Sequence, residues 1–342
     1  KASLAVGAFH IIPASAAPRS TESKNTSVLA PSDRLNLAVI GCGGRGGGIG
    51  NQAMSSKLTT TIALCDVNRN NMARLKQKAI SAEMFQDFRK MFDKLGDKID
   101  GATVGTPDHS HFPISMRAMS EGVGIYVEKP LAPTLKEGRS IVRAYQSSGK
   151  TGMIGFNFRF HPKFEAVRKA IARNAYGNIV AVRTQFSSAM RILPGWKKQT
   201  GMGGDALFDL ATHHIDLVSY LTGEEWSEDS LQASFSGTDE GSAVMLTGTL
   251  DGGTLVDITA TQTTGANAHR VDLLCENGHV FIDLSEPGLP VLTQQQSGSP
   301  RLAHIRSSLG GLKPGNILHN PNGEPSFERA LSAFIRAAAS SS

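Results

Sequence analysis

Two residues in the second half of the chain have the types and the spacing of an acid–base pair. Asp209 and His213 lie four positions apart in a segment, 205–221, whose apolar residues predict a helix. Residues at i and i+4 share a helix face, so the carboxylate can orient the imidazole and raise its basicity. Such an imidazole is suited to take a proton from a hydroxyl group. Asp216 falls near the same stripe, and His214 points about 100° away. A surface ion pair is the alternative, and the helix alone does not decide between the two.

A lysine at the end of a predicted strand is the second candidate. Glu128-Lys129-Pro130 follows the apolar run 124–127, which indicates a strand of a parallel sheet. Ligands bind at the carboxyl ends of such strands. Because Pro130 ends the strand, we expect Lys129 to project into the crevice there. Taken alone, a solvated surface lysine is the simpler interpretation.

A glycine-rich turn predicts a dinucleotide site. Gly41-Cys42-Gly43-Gly44-Arg45-Gly46 stands between an apolar run, 35–40, and a segment that can be helical. In this G-x-G-x-x-G context the first glycine permits the tight turn, the second lets the backbone approach a pyrophosphate, and the third lets helix and strand pack closely. The anion then lies at the helix N-terminus. The candidate cofactor contacts in the turn are Gly41, Gly43, Gly44, Arg45 and Gly46.

An acid at the end of the second predicted strand favours NAD as the cofactor. Asp66 closes the apolar run 61–65, about 20 residues beyond the last glycine, where a carboxylate accepts hydrogen bonds from the adenosine ribose. A carboxylate there repels the 2′-phosphate of NADP. Arg69, three residues on, softens that repulsion, so the sequence predicts NAD and leaves NADP open.

A polar loop after the predicted strand 101–105 contains two histidines and an aspartate, Thr106-Pro107-Asp108-His109-Ser110-His111. These residue types suggest a metal, but nothing nearby in the sequence completes a ligand set. We therefore predict no metal site. Instead we expect the loop, through Thr106, Pro107 and His111, to line the nicotinamide ribose, with Glu128 and Lys129 also beside the cofactor.

The elements that must position these residues alternate between strand and helix in the first half of the chain. This rhythm predicts an α/β Rossmann domain with a doubly wound parallel sheet over residues 34–157. Beyond residue 158, strand-like runs separated by turn residues predict hairpins, one of them at Glu276-Asn277-Gly278. The sequence thus predicts a second, α+β domain over 158–342 with a large, mainly antiparallel open sheet.

The first 33 residues indicate a signal-like segment and a linker. Lys1 precedes the apolar run 2–12, and Ala14-Ser15-Ala16-Ala17 resembles a signal-peptidase site. We expect export to the periplasm, by the twin-arginine route if an Arg-Arg pair precedes Lys1. The alternative is a structural arm on a cytoplasmic protein. The apolar run is shorter than a membrane-spanning helix requires.

Composition narrows the class of protein. The chain has 342 residues, 40% of them apolar and 19% charged, as in globular proteins of two domains. Its net charge is +5, but the basic residues are dispersed among acids and aromatic residues are sparse, so we expect no nucleic-acid partner. The three cysteines lack the spacing of a zinc site or a disulfide framework.

Taken together, these motifs resemble the glucose–fructose oxidoreductase, inositol dehydrogenase and rhizopine-catabolism family, Gfo/Idh/MocA. The resemblance runs from about residue 35 to 338 and rests on five features: Gly41–Gly46, Thr106-Pro107 with His111, Glu128-Lys129-Pro130, Gly203-Gly204, and Asp209-x-x-x-His213. It implies that Lys129 holds the reacting hydroxyl and stabilises the developing alkoxide, while Asp209 and His213 form the acid–base pair. It also implies a homo-oligomer, a dimer or tetramer, formed through the second-domain sheet.

The function implied by the resemblance is hydride transfer between NAD and a hydroxyl carbon of a sugar or polyol. A glycoside hydrolase or lyase that oxidises the sugar transiently, with a tightly bound and recycled cofactor, is the alternative. It requires the same glycines, Lys129 and His213, so the motifs do not separate the two.

Overall fold

A computed structural model describes residues 34–189, 204–236, 242–264, 267–284, 291–294 and 325–340. The signal-like segment and its linker, 1–33, and Gly203 lie outside these ranges. The described residues form two compact units, one of 34–157 together with 327–340, and one of 158–326. The first unit therefore includes the end of the chain, which the sequence placed in the second domain.

The first unit is built on a six-stranded sheet in the order β3-β2-β1-β4-β5-β6, and every neighbouring pair is parallel. This confirms the predicted Rossmann architecture. Its elements are β1 (Leu35–Ile40), α1 (Gly44–Ser55), β2 (Thr59–Cys65), α2 (Arg69–Lys76), β3 (Glu83–Phe85), α3 (Phe88–Leu95), β4 (Gly101–Val104), α4 (His111–Ser120), β5 (Gly124–Val127), α5 (Leu135–Ser148) and β6 (Gly152–Ile154).

Two of these elements, β3 and α3, were not predicted. β3 has only three residues, too few to show a pattern. α3 is marked in the sequence by Asp87, whose side chain accepts a hydrogen bond from the Arg89 N–H and caps the helix. It buries Met91, Phe92 and Leu95 against the sheet. Eight residues with a cap and an apolar face therefore sufficed to form a helix that the strand–helix rhythm did not reveal.

The closing helix, α8 (Ser326–Ser340), belongs to the first unit from Phe327 onward and contacts the Rossmann sheet through Phe334. Phe334 is fully buried and meets Tyr126 of β5 edge to face, with ring centroids 6.0 Å apart. A Cβ added at Gly101 of β4 would lie 3.4 Å from the Phe334 ring. An amphipathic sequence predicts that a helix buries one face, but not which sheet receives it.

The second unit contains a seven-stranded sheet in the order β13-β12-β11-β7-β10-β9-β8. β7 and β10 are parallel and the other neighbours are antiparallel, as the prediction of a mainly antiparallel sheet requires. The predicted hairpin at Glu276-Asn277-Gly278 is confirmed, joining β11 to β12. Its elements are α6 (Pro162–Ala172), β7 (Ile179–Ala189), a π-helix (Leu207–Ala211), α7 (Thr212–Thr222), β8 (Gln232–Ser236), β9 (Ala243–Thr249), β10 (Leu255–Thr264), β11 (Ala268–Cys275), β12 (Gly278–Asp283) and β13 (Val291–Gln294).

Helices cover one face of this sheet. The π-helix contacts β7 and β10, α7 contacts β7, and α6 packs on α7. Their apolar side chains join those of the strands in one core that includes Leu217, Val218, Ile258 and Leu273. Within the described ranges, no helix combines the length and the apolar character needed to cross a bilayer.

Candidate functional site

Close backbone contacts shape the glycine-rich turn between β1 and α1. Gly41 has a φ of +85°, and a Cβ there would lie 2.6 Å from the backbone of Gly105. A Cβ on Gly46 would lie only 2.2 Å from the Gly41 carbonyl oxygen. The turn is thus pressed against both its own helix and the end of β4. At both positions a Cβ would meet backbone atoms, so the predicted motif requires glycine there for steric reasons.

The start of α1 fits the pyrophosphate of a dinucleotide. Gly43 is the N-cap with an extended backbone, it provides no side-chain cap, and the first turn has no acidic residue. The first amides of a helix lack intrahelical partners, so this end favours an anion. Arg45 stands in the first turn with its guanidinium 3.7 Å from the centre of the Phe327 ring of α8, a cation–π contact within one unit.

Asp66 is held in place by three donors. Its Oδ2 accepts hydrogen bonds from the Cys42 N–H at 2.7 Å and from Asn71 Nδ2 at 3.2 Å, and its Oδ1 accepts one from the Asn68 N–H at 2.8 Å. Because each carboxylate oxygen has two acceptor sites, Oδ1 retains one for a ribose hydroxyl. Arg69 donates instead to Gln86 Oε1 at 2.9 Å, so its Nε is engaged away from the Asp66 carboxylate.

His111 lies between two backbone segments at the start of α4. Its ring is fully buried, with Nδ1 2.8 Å from the Pro130 carbonyl oxygen and Nε2 2.9 Å from that of Thr106. A neutral imidazole has one N–H, so one of these nitrogens donates to its carbonyl. His111 thus joins the Thr106-Pro107 loop to the segment after Lys129, and its contact with the nicotinamide ribose stays a prediction.

Glu128 is a buried acid at the end of β5. Its Oε1 has no hydrogen-bond partner among the residues that the structure describes, and a Cβ on Gly155 would lie 2.9 Å from it. Burial raises the pKa of Glu128 to about 7, against the opposing influence of the positive charges of Lys129 and Arg45. Lys129 is half-buried, and its peptide bond to Pro130 is cis. Predicted contacts of both with the cofactor remain predictions.

Asp209 and His213 lie in one helical segment, but it is not the regular α-helix that the sequence predicts. Residues 207–211 form a π-helix, and α7 begins at Thr212. The wider π turn holds Asp209, so the i, i+4 geometry of an α-helix does not apply without change across it. Both side chains are nine-tenths buried, and His213 packs against Phe158 with ring centroids 4.8 Å apart.

Asp216 belongs to a different interaction from the one its position on the helix suggests. Its two carboxylate oxygens accept hydrogen bonds from Nε and Nη2 of Arg159, at 2.8 and 2.7 Å. Asp216 is buried, and Arg159 is mostly buried. This bidentate pair ties α7 to the segment before α6. It uses both oxygens of Asp216, which separates this residue from the predicted acid–base pair.

Behind His213 lies a cluster of rings that the sequence did not predict. His214 is fully buried and stacks on Phe186 at 5.3 Å, and Phe186 in turn stacks on His269 at 4.6 Å. His269 of β11 faces Phe186 of β7 across the sheet. The pairing of β11 with β7 brings His269 next to the helix. In the sequence His269 is an isolated histidine in a predicted strand, so nothing there indicated the cluster.

The histidine cluster predicts a loss of stability in acid. Burial lowers the pKa of His214 to about 3, and it lowers the pKa of His269 well below the ordinary 6.5. As the pH falls below 6.5, the unfolded chain binds protons that the folded protein does not. Stability therefore declines towards pH 3 by up to about 1.4 kcal/mol per pH unit on account of His214, and His269 acts in the same direction.

We expect His214→Phe, which keeps an aromatic ring against Phe186, to flatten this decline, as measured by the Tm between pH 7 and 4. Equal slopes of Tm against pH for His214→Phe and the parent would contradict the assignment of this loss of stability to His214.

Among the residues that the structure describes, no group of three or more His, Cys, Asp or Glu side chains is arranged to hold a metal ion. The glycine-rich turn, the open end of α1 and the fixed Asp66 carboxylate, by contrast, fit a dinucleotide.

Known proteins share both halves of the chain. Residues 35–156 match the family profile described as "Oxidoreductase family, NAD-binding Rossmann fold", and residues 164–281 match the GFO/IDH/MocA C-terminal domain. Levoglucosan dehydrogenase of Pseudarthrobacter phenanthrenivorans is 33% identical over 143 residues, 40% of this chain and 36% of that protein. Inositol 2-dehydrogenase of Rubrobacter xylanophilus is 27% identical over 200 residues, 58% of this chain and 55% of that protein. The aligned residues thus span about a third to a half of the length of these relatives.

Solved structures share the fold over nearly the whole chain. A levoglucosan dehydrogenase in complex with NADH and levoglucosan superposes with a TM-score of 0.76 at 24% identity, covering 89% of this chain and 90% of that one. An inositol dehydrogenase homologue from Azotobacter vinelandii, complexed with NAD+, gives 0.75 at 18% identity, with 90% and 86% covered. The profiles together cover more than half of the sequence, so the chain belongs to the GFO/IDH/MocA oxidoreductase family and its first unit is an NAD-binding Rossmann domain.

Proposed function

We propose that the protein is an NAD-dependent dehydrogenase that transfers a hydride between the nicotinamide and a hydroxyl-bearing carbon of a sugar or polyol. The observation that carries the proposal is the match of both units to one oxidoreductase family, in a chain that keeps Lys129 and Asp209-x-x-x-His213. The similar proteins named as sugar and inositol dehydrogenases support the substrate class.

Each candidate residue has a chemical task in this reaction. NAD, when bound, supplies the hydride acceptor at C4 of the nicotinamide. The Lys129 ammonium binds the substrate hydroxyl and stabilises the negative charge that develops on its oxygen as the proton leaves. The His213 imidazole accepts that proton, and Asp209 favours the protonated ring that results. In the reverse direction His213 returns the proton to the carbonyl oxygen.

The test is a steady-state assay of the purified chain with NAD and a panel of sugars, polyols and anhydrosugars. We expect NADH to accumulate with at least one of them, one NADH for each substrate oxidised. Cleavage of a glycoside without net NADH would overturn the dehydrogenase and support the redox-assisted hydrolase or lyase instead.

Asp66→Ala is expected to weaken NAD binding and to reduce the preference for NAD over NADP. The variant removes the acceptor for the ribose hydroxyls and the charge that repels a 2′-phosphate. A lost hydrogen bond to a charged group corresponds to about a 10- to 100-fold loss in NAD affinity. Calorimetric titration of both nucleotides measures it, and a parent protein that prefers NADP would contradict the assignment.

We also propose that two copies associate through the face of the seven-stranded sheet that is opposite the described helices. Met245, Leu255 and Leu274 are 46, 57 and 41% exposed. The strand register places them on one face. Leu255 pairs with Thr249, which lies four residues after Met245 on β9, and residues an even number apart on a strand share a face. Leu255 and Leu274 both pair with Ala181 of β7. A second copy would bury these side chains together. Light scattering should give a dimer or tetramer mass, and a monomer would refute this.

Export remains a proposal supported by the sequence alone. The apolar run after Lys1 and the Ala14-Ser15-Ala16-Ala17 segment favour cleavage near Ala16 or Ala17 and a periplasmic location. N-terminal sequencing of protein from its native host tests it. A mature chain that still carries Leu4-Ala5-Val6 would leave the cytoplasm as the site of action.

A further inference from the structure

We propose that Asn71 is a specificity-determining residue that positions the Asp66 carboxylate for the adenosine ribose and so strengthens the preference for NAD over NADP. The inference rests on the proposed role of Asp66 as the ribose acceptor. Asn71 is not part of the glycine motif and follows the acid by five residues, so its place is visible only in the folded unit.

The start of α2 brings Asn71 back to the cofactor site. Asn68 is the N-cap, and its side chain accepts a hydrogen bond from the Asn70 N–H. Its carbonyl oxygen also accepts the Asn71 N–H at 3.1 Å. This tight first turn places Asn71 Nδ2 3.2 Å from Asp66 Oδ2.

The same amide lies against the glycine-rich turn. A Cβ added at Gly43 would come within 2.7 Å of Asn71 Nδ2 and 3.1 Å of its Cγ. Asn71 therefore contacts both parts of the predicted site, the glycine at which the backbone approaches the pyrophosphate and the acid that receives the ribose. A side chain with the same branching but without a donor would leave Asp66 with its two backbone donors, Cys42 N–H and Asn68 N–H.

The division of donors sets the orientation of the carboxylate. Oδ2 accepts from the Cys42 N–H and from Asn71, whereas Oδ1 accepts from the Asn68 N–H alone. The two donors on Oδ2 turn that oxygen towards the protein, and Oδ1 keeps the acceptor site that a ribose hydroxyl can use. Without the Asn71 amide the carboxylate is less restrained. Ordering the carboxylate then reduces the net free energy of binding the ribose.

The matched variants are Asn71→Leu, which keeps the branched arrangement of heavy atoms but removes the donor, and Asn71→Ala. Asn70→Ala is the control, because Asn70 is the neighbouring residue of the same type, is exposed, and uses its backbone N–H in the N-cap contact. Each full-length variant is titrated calorimetrically with NAD and with NADP, and its unfolding temperature is measured without nucleotide.

We expect both Asn71 variants to lose about 3- to 10-fold in NAD affinity, the range of one hydrogen bond, with a smaller change for NADP. The ratio of the two affinities should fall accordingly, while Asn70→Ala keeps the parental ratio. Equal losses for NAD and NADP, or an unchanged ratio in a folded Asn71→Leu or Asn71→Ala protein, would overturn the proposal.

Asp66→Ala, measured in parallel, separates this inference from the one on which it rests. If Asp66→Ala lowers the ratio and the Asn71 variants do not, the role of Asn71 alone is wrong. If Asp66→Ala leaves the ratio unchanged, Asp66 is not the ribose acceptor, and the role of Asn71 is overturned with it.

Discussion

His213→Ala is expected to reduce kcat by about 10²- to 10⁴-fold, the usual range for loss of a general acid–base group. Lys129→Ala is expected to reduce it by about 10²- to 10³-fold, the range for loss of a group that stabilises a developing oxyanion. The first variant removes the proton acceptor, and the second removes the charge that stabilises the developing alkoxide. Neither residue belongs to the glycine-rich turn or to the acid at the end of β2. We therefore expect the NAD affinity of His213→Ala, measured by calorimetry, to stay close to that of the parent.

The double variant gives a sharper test than either single one. Because the two groups are proposed to act on one transition state, the combined loss should be smaller than the product of the single losses. A combined loss equal to the product of the single losses would show that the residues act independently. Near-parental turnover in His213→Ala would refute the assignment of His213 as the proton acceptor.

His214→Ala, which the helix pattern suggests as a mild neighbouring control, is not suitable, because His214 is fully buried against Phe186. Its loss opens a cavity in the core. His279→Ala is the better control. It removes a histidine of the same unit whose ring is 41% exposed and hydrogen-bonds to Asp272, so turnover should stay near that of the parent.

Gly46→Ala is expected to abolish measurable NAD binding and to destabilise the protein by about 1–3 kcal/mol, the cost of overpacking. The added Cβ would stand 2.2 Å from the Gly41 carbonyl oxygen and 2.8 Å from that of Gly105. Both neighbours are backbone atoms of the cofactor turn and of the end of β4. Relief of the contact must therefore move the turn that binds the pyrophosphate.

Gly48→Ala, two residues further along α1, is the matched control. A Cβ there meets nothing within 4 Å, and the residue is exposed. Since alanine favours a helix over glycine, we expect Gly48→Ala to gain about 0.5–1 kcal/mol and to bind NAD normally. Calorimetry and thermal unfolding compare the two. Normal NAD binding by Gly46→Ala would show that the turn tolerates the displacement.

The sequence by itself determined the parts of this protein that depend on neighbours along the chain. Buried strands, the G-x-G-x-x-G turn and the hairpin at Asn277 are local patterns with local physical causes, and the structure reproduces each of them. The position of the ribose-binding acid, Asp66, could be predicted from the last glycine, because one βαβ unit sets the distance between them.

Only the tertiary structure decided what depends on contacts between distant segments. The docking of α8 on the Rossmann sheet joins residues more than 200 positions apart, Tyr126 and Phe334, and no periodicity specifies the partner. His269 reaches His214 only through the register of β11 on β7. His111 is a structural link because two backbone carbonyls meet its ring nitrogens.

The helix with Asp209 and His213 shows the same limit within one element. Its apolar pattern predicts a helix, but a π turn and an α turn differ by one residue, and packing on β7 and β10 accompanies the π form here. Sequence fixes which residue types are available for chemistry. Their burial and hydrogen-bond partners, and hence the pKa values of Glu128 and His214, arise when separate segments pack together and remove water.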